Sequence, residues 1–497
     1  MTESSNNEDA AMLWTLAEMV NATGGTLTHA PSGTIGVNGI SIDTRTLSHG
    51  EAYFAIKGDV HDGHAFVANA HRAGAAVSVI AADKRADLGD DTGPLLVVPD
   101  VLVALEALGR AARARCGGKI IAITGSVGKT STKEALRVAL SACGAVHASV
   151  ASFNNHWGVP LTLARMPRDT EFGIFEIGMN HPNEITPLVQ MVRPHVAMIN
   201  NVAPVHLGAF DSVDGIAHAK AEIFDGLNLD GSSEGHGDGA QGGVALLNAD
   251  DPRFDMLSQI AQGKGVERIV SFGEAATADV RGEKIVEHAD CSCLTVRVFD
   301  DRVMAKVGSP GRHIAKNALA VLAIVSLVGA DLAKAALALA HLAPVKGRGE
   351  RHVLSVEGGD ATLIDESYNA NPASMRAMFS MLAGVQPEGR GRRMVALGDM
   401  LELGPTSKDL HAQLAEPLLT AGFEVVFLAG PDMAALRDAL DGRVVVHYAD
   451  DVDGLIDPVV ATLRADDVLA AKASLGLKFA KLIDGLKDRF SNPASLP

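Results

Sequence analysis

The chain alternates between short, nearly continuous apolar runs and longer stretches with an apolar residue every three or four positions. Runs of the first kind read as buried strands, and stretches of the second kind as amphipathic helices. In the first segment, up to about residue 110, AYFAIKG (from Ala52), AAVSVIAA (from Ala75) and PLLVVPD (from Pro94) predict strands. A helix over 66–73 lies between two of them, and a helix over Val101–Arg115 leads out of the segment. A second segment opens with KIIAITG at Lys119, followed by a helical pattern from Lys129. FGIFEIG (from Phe172), VAMINNV (from Val196), GVALLNAD (from Gly243) and ERIVSFG (from Glu267) continue the alternation. Near-continuous apolar strands separated by helices are the mark of a parallel sheet covered on both faces. The stretch 280–306 alternates apolar and polar residues and predicts antiparallel strands, followed by alanine-rich helices near 314–328 and 331–341. From Pro344 onward, ATLIDESY, RRMVALGDM, FEVVFLAG, RVVVHYAD and DVLAAKA predict a second doubly wound unit. The Gly/Ser/Asp-rich stretch 230–243 reads as a mobile surface insertion.

Length and composition narrow this picture. At roughly 100–200 residues per domain, 497 residues suit three domains, and 47% hydrophobic content can fill their cores. The net charge of −17 disfavours wrapping nucleic acid or lying on an anionic membrane, because both repel the chain. A phosphorylated small molecule can still bind where the site supplies its own donors. Cys116, Cys143, Cys291 and Cys293 are scattered and form no pair of C-x-x-C motifs, so a zinc site is not expected. The acidic, polar start lacks the pattern of a signal peptide. The longest apolar stretch, 318–330, is broken by Ser326 and Gly329 and falls short of the roughly 18 residues of a spanning helix. These features predict a soluble, cytoplasmic protein.

The sharpest chemical signal is Gly125-Ser126-Val127-Gly128-Lys129-Thr130, between a strand and a helix. Glycines let the backbone wrap an anion, the helix N-terminus aims N–H groups at it, and Lys129 adds a point charge. Thr130 is placed to ligate Mg²⁺. The loop is shorter than the common G-x-x-x-x-G-K-[ST], since Ile123 stands where that motif has its first glycine. It predicts an ATP site without fixing a reaction. Beyond the ends of neighbouring strands lie Glu176 and His206, where open α/β sheets place ligands. A carboxylate and an imidazole there suit metal binding at phosphates. The pattern alone leaves Glu176 equally open to a salt-bridged or capping role. It reads His206 first as structural, Lys220 as a solvated lysine, and Asn154 and Asn155 as turn residues.

Taken together, TGSVGKTSTK (from Thr124), FNNHWGVPLTL (from Phe153), EIGMNHPNEI (from Glu176), NNVAPVHLGAF (from Asn200), AKAEIF (from Ala219) and GRHIAKNALA (from Gly311) resemble the Mur ligases, the ATP-dependent amide-forming enzymes of peptidoglycan synthesis. DESYNANPASM (from Asp365) and ALGDMLELG (from Ala396) resemble the C-terminal domain of the branch that takes D-alanyl-D-alanine as the incoming amine. SIDTRTLSHGEAYFAIKG (from Ser41) and DGHAFVANAHRAGA (from Asp62) resemble its uridine-nucleotide domain. The resemblance implies three α/β domains: a small UDP-sugar domain over 1–112, a central P-loop ATPase with a parallel sheet over 113–343, and a Rossmann-like domain over 344–497 that takes the dipeptide.

By this resemblance Lys129, Glu176, His206 and Lys220 are catalytic. The loop from Gly125 through Ser131, with His313, Asn317, Asp365 and Tyr368, binds ATP. Thr130 and Glu176 hold one Mg²⁺, His206 and a carboxylated Lys220 a second. Ser41, Asp43, Thr44 and Arg45 bind the uridine nucleotide, and Asn154 and Asn155 lie near substrate and phosphates. The implied substrates are UDP-N-acetylmuramoyl-tripeptide and D-alanyl-D-alanine, joined through an acyl phosphate by an enzyme expected to be monomeric. Two positions depart from the pattern. Ile314 stands where many relatives carry Asn, and Ala473 replaces a glycine beside Lys472 and Ser474. Another ligase of the superfamily, adding the third residue or extending folylpolyglutamate, is the nearest alternative. The C-terminal motif pair argues against both, and the uridine motif argues also against a folate substrate. A nucleotide switch is disfavoured by two further domains with small-molecule motifs, and a dehydrogenase by the lack of G-x-G-x-x-G after a C-terminal strand.

Overall fold

The computed structural model describes residues 12–28, 35–58, 61–89, 92–150, 152–205, 208–227, 242–288 and 290–490. Each apolar run picked out above forms a strand of one of three sheets. The first sheet has five strands in the order Thr26–Thr28, Leu95–Val98, Val77–Ala81, Glu51–Phe54, Gly39–Ser41. All its pairings are parallel except the first. The second sheet has nine strands, and Lys119–Thr124 lies inside it between Phe172–Glu176 and Val196–Ile199. Both neighbours run parallel to it, in register at Glu176 opposite Ile123 and Ile199 opposite Thr124. The ends of these three strands therefore open onto one place, which is where a doubly wound sheet binds ligands. At the far edge, Val280–Glu287, Ser292–Val298 and Asp301–Val307 form the antiparallel extension the alternation predicts.

The third sheet runs Glu350–Val356, Gly359–Glu366, Val468–Lys472, Arg393–Gly398, Val425–Ala429, Val445–Ala449. It is parallel apart from its first pair. The edge strand Glu350–Val356 lacks an apolar run and was invisible to the pattern. Its residues alternate between the core (Leu354, Val356) and solvent (Val353, Ser355). Most of the segment 230–243 lies outside the described residues.

The first two domains are joined through a shared core. Helix Val101–Arg115 packs on helix Gly158–Ala164, and Leu161 and Ala164 belong to the same apolar cluster as Trp14, Phe54 and Leu105. Trp14 Nε1 donates to the Ala164 carbonyl (2.8 Å), and Arg165 Nε to the Ile40 carbonyl (2.7 Å). No helix among the described residues is long and apolar enough to cross a membrane.

The strand that carries the phosphate loop is anchored at its start by a histidine. Ile120 N–H donates to His195 Nδ1 (2.8 Å). Burial, with the positive charges of Arg113 and Lys119, pushes this imidazole down to about 4. The unfolded chain binds a proton on His195 near its ordinary value of about 6.5, whereas the folded chain does not. Its contribution to stability is thus full above that value and is lost as pH falls toward the folded one. We expect the unfolding free energy in urea to fall more steeply across this window in the wild type than in His195→Gln, which keeps an acceptor without titrating. Equal slopes for the two proteins would contradict this role.

Candidate active site

The phosphate loop is shaped by two glycines and an asparagine pair. Gly128 has φ of 82°, in the left-handed region that favours glycine. A Cβ there would lie 2.6 Å from Asn200 Nδ2. Asn200 Nδ2 donates to the Val127 carbonyl (3.0 Å) and to Asn317 Oδ1 (3.0 Å). Asn201 Oδ1 accepts from Val127 N–H (3.0 Å), and Ser126 Oγ donates to the Ala203 carbonyl (3.1 Å). The loop is thus fixed from the end of the adjacent strand before any ligand arrives. Helix Lys129–Ser141 begins at Gly128 without a side-chain cap, so its first N–H groups face the loop. Lys129 Nζ donates to the Gly125 carbonyl (2.7 Å), and Thr130 Oγ1 lies 3.2 Å from Ser152 Oγ.

Glu176 ends its strand and is only 1% exposed. Its Oε1 accepts from Asn154 Nδ2 (2.7 Å), while its Oε2 is buried with no hydrogen-bond partner among the described residues. A buried carboxylate oxygen left unpaired is costly and calls for a cation. The hydroxyl of Thr130 and the carboxylate of Glu176 are hard oxygen donors, the set that Mg²⁺ prefers. Lys129 is driven below the ordinary lysine range by burial and by Arg348, against the pull of Glu176. Lys220, 2% exposed on helix Val213–Ala221, is pushed well below that range by burial and then by Lys129.

A cleft of about 490 Å³ lies between the central and C-terminal domains. Its central wall carries Ser126 to Ser131, Asn154, Glu176, His313 and Asn317. Burial holds His313 below the usual histidine range, with Glu366 opposing and Lys472 reinforcing the shift. The C-terminal wall carries Arg348, Glu366, Tyr368 and Lys472. The Arg348 guanidinium stacks on the Tyr368 ring (4.4 Å), and Lys472 Nζ donates to Glu366 Oε2 (3.1 Å). Arg348 was missed by sequence reasoning. Its signal was the flanking pair Gly347 and Gly349, with φ of 72° and 91°, which mark a sharply turned backbone.

Two loops complete the C-terminal wall. Asn371 caps helix Pro372–Ala383 by accepting from Ser374 N–H, with Pro372 at the first turn. The loop 399–403 is pinned by His411, whose Nε2 accepts from Met400 N–H (2.9 Å), and by Ser474, whose Oγ accepts from Leu401 N–H (2.9 Å). Ser474 thus holds the loop that presents Leu401. That loop also reaches the central domain, where Gly208 N–H donates to the Glu402 carbonyl (3.2 Å).

Some expected residues lie elsewhere. Asp365 does not line the cleft. Strand residues alternate in facing, so Glu366 points to the cleft and Asp365 to the opposite face of the sheet. Asn155 caps the following helix, its Oδ1 accepting from Trp157 and Gly158 N–H groups (3.2 and 2.9 Å), so its side chain serves the turn that presents Asn154. Gly125 and Lys220 stand behind the cleft lining. His206 lies outside the described residues. Ser41, Asp43, Thr44 and Arg45 form a separate turn on the first domain. Arg45 grips Asp43 through Nε and Nη2 (2.9 and 2.6 Å), holding that carboxyl below its usual range, while the arginine side chain is 85% exposed.

Three family profiles match in chain order: the Mur ligase family catalytic domain over 36–115, the Mur ligase middle domain over 123–325, and the Mur ligase glutamate ligase domain over 347–475. The UDP-N-acetylmuramoyl-tripeptide–D-alanyl-D-alanine ligase of Rickettsia prowazekii is 31% identical over 91% of this chain and 96% of its own. The Escherichia coli enzyme of that name is 33% identical over 88% of this chain and 90% of its own. The crystal structure of MurF from Acinetobacter baumannii aligns with a TM-score of 0.78 and 28% identity, covering 96% of this chain and 99% of that one. The three family domains thus follow one another along the chain, and the two relatives are matched over 96% and 90% of their own lengths. The chain belongs to the Mur ligase family.

Proposed function

We propose that this chain joins D-alanyl-D-alanine to the terminal carboxylate of UDP-N-acetylmuramoyl-tripeptide with ATP, releasing ADP and phosphate in peptidoglycan precursor synthesis. The observation that carries it is the two-walled cleft, with a phosphate loop on one wall and a doubly wound domain on the other. A lone nucleotide switch has no need of the second wall. The relatives of this name span nearly the whole chain and support the choice of substrates.

A free carboxylate is a poor acyl donor because its oxygen leaves badly. Attack of the tripeptide carboxylate on the γ-phosphorus expels ADP and makes an acyl phosphate. The amine of the dipeptide then attacks the carbonyl carbon, loses a proton, and the tetrahedral intermediate expels phosphate. The loop from Gly125 to Ser131 cradles the phosphates, and Lys129 offsets the charge of the transferring group. Asn154 orients Glu176. His313 and Asn317 stand on the adenine side, with Tyr368 and Arg348 closing from the C-terminal wall. Asp365 faces away from the cleft and takes no part in holding the nucleotide. Ser41, Asp43, Thr44 and Arg45 receive the uridine nucleotide. Thr130 and Glu176 would hold one Mg²⁺, and His206 with Lys220 a second. Bound Mg²⁺ would neutralise charge on the phosphate oxygens. The acyl phosphate must be kept from water, which the meeting of the two walls accomplishes.

The division of labour is 1–112, 113–343 and 344–497, one large sheet to each. The cleft is built within a single chain, which fits a monomer. The use of ATP and a UDP-sugar fits the cytoplasm. Lys129→Ala is expected to lower ligation at least about a hundredfold while UDP-sugar binding persists. Phosphate release by the wild type is expected only when both the UDP-sugar tripeptide and the dipeptide are present. Release with ATP alone, or normal ligation by the variant, would contradict the reading.

Lys220 is proposed to be carboxylated. A neutral amine reacts with CO₂, and burial beside Lys129 keeps this amine neutral far below the usual lysine range. The carbamate would replace a cation with an anion suited to Mg²⁺. We expect Lys220→Ala to lose activity and to regain part of it with formate or acetate. Rescue by neutral amides of the same size, but by neither acid, would contradict the carbamate.

A further inference from the structure

The edge strand Glu350–Val356 contains a cluster that the ligase reaction does not use. Residues two apart on a strand share a face, so Glu350 and His352 point the same way. Asp365 lies directly opposite Glu350 in the antiparallel register. One carboxylate oxygen from each acid and one ring nitrogen of His352 all fall within 4.8 Å of one another.

Two features of this group ask for a cation. Like charges directly opposite on one sheet face destabilise the pair, and among the described residues neither carboxylate has a lysine or arginine ion-pair partner. His352 Nε2 is buried and has no hydrogen-bond partner among the described residues, and it lies 3.7 Å from Glu350 Oε2. The ring as a whole is 14% exposed. With its proton on Nδ1, it presents an unused lone pair to the two carboxylates. Asp365 is buried, and its Oδ1 accepts from Ser367 N–H (2.9 Å), which fixes the direction of the carboxylate. Glu350 is 40% exposed, which leaves a solvent side for entry and for water ligands.

We propose that this hairpin binds a divalent transition-metal cation of the Zn²⁺ or Co²⁺ class through Glu350, His352 and Asp365. One imidazole with two carboxylates suits such borderline cations better than Mg²⁺, and three protein ligands leave a position for water. The cysteine pattern could not reveal this site, because it contains no cysteine. The site is separate from the phosphate cleft, since Asp365 and the cleft residue Glu366 face opposite sides of one strand. It also begins two residues after Arg348, so a bound cation pins the edge strand beside the residue that stacks on Tyr368.

The test uses the full chain, free of affinity tag and nucleotide and stripped with EDTA. Co²⁺ is followed by its visible absorption, and Zn²⁺ by calorimetry and by the rise in unfolding temperature. We expect a single equivalent bound below millimolar concentration. His352→Ala and Glu350→Gln should each weaken it at least about tenfold, and Glu176→Gln should leave it in place. Glu350 is half-exposed, so its variant is checked for an unchanged metal-free unfolding temperature. Absence of binding, equal affinity in the wild type and the two hairpin variants, or loss in Glu176→Gln alone would overturn the proposal.

Discussion

Lys129 and Glu176 in the cleft wall and the buried Lys220 act on one another, and their charges can only be balanced jointly. Lys129 raises the cost of protonating Lys220, Glu176 favours the charge on Lys129, and one oxygen of Glu176 has no protein partner among the described residues. Such a set is poorly satisfied by protein atoms alone. It is well satisfied by polyphosphate and Mg²⁺, which supply both signs. The asparagines around it, Asn154 on Glu176 and Asn200 on the loop, hold the groups in place without adding charge. The site is preorganised for ligands by leaving part of its electrostatics unfinished.

The rest of the molecule serves this arrangement in two different ways. The first domain is fused to the second by a continuous apolar core and by hydrogen bonds from Trp14 and Arg165. A uridine nucleotide held there would keep a fixed distance from the phosphate loop. The third domain meets the second across an open cleft of mixed polar and apolar lining, with the Gly208–Glu402 backbone contact at one side. Domains that meet across such a cleft rather than through a continuous apolar core move apart at less cost, and this is the side from which an amine must enter and water be excluded.

Much of this was legible in the sequence, for physical reasons. Buried central strands are nearly pure apolar runs and could be read directly, whereas the short edge strands Gly39–Ser41 and Val146–Ala148 could not, and the loop at Gly125 follows from its place between a strand and a helix. Edge strands such as Glu350–Val356 bury only alternate residues, so the run dissolves into a mixed pattern. Facing was the other limit. Asp365 and Glu366 are adjacent in sequence, yet one side chain enters the cleft and the other does not. The same holds for Asn154 and Asn155, where one amide orients Glu176 and its neighbour caps a helix. Arg348 escaped because a single arginine between glycines carries no periodic signal.

The central claim is that the cleft activates a carboxylate by phosphorylating it. The direct measurement is the fate of a carboxylate oxygen. UDP-N-acetylmuramoyl-tripeptide carrying a heavy oxygen isotope in its terminal carboxylate is incubated with the enzyme, ATP and D-alanyl-D-alanine, and the released phosphate is analysed by mass spectrometry. The account predicts a labelled oxygen in the phosphate for every amide bond formed. Phosphate free of label, at full conversion to the amide, would contradict it.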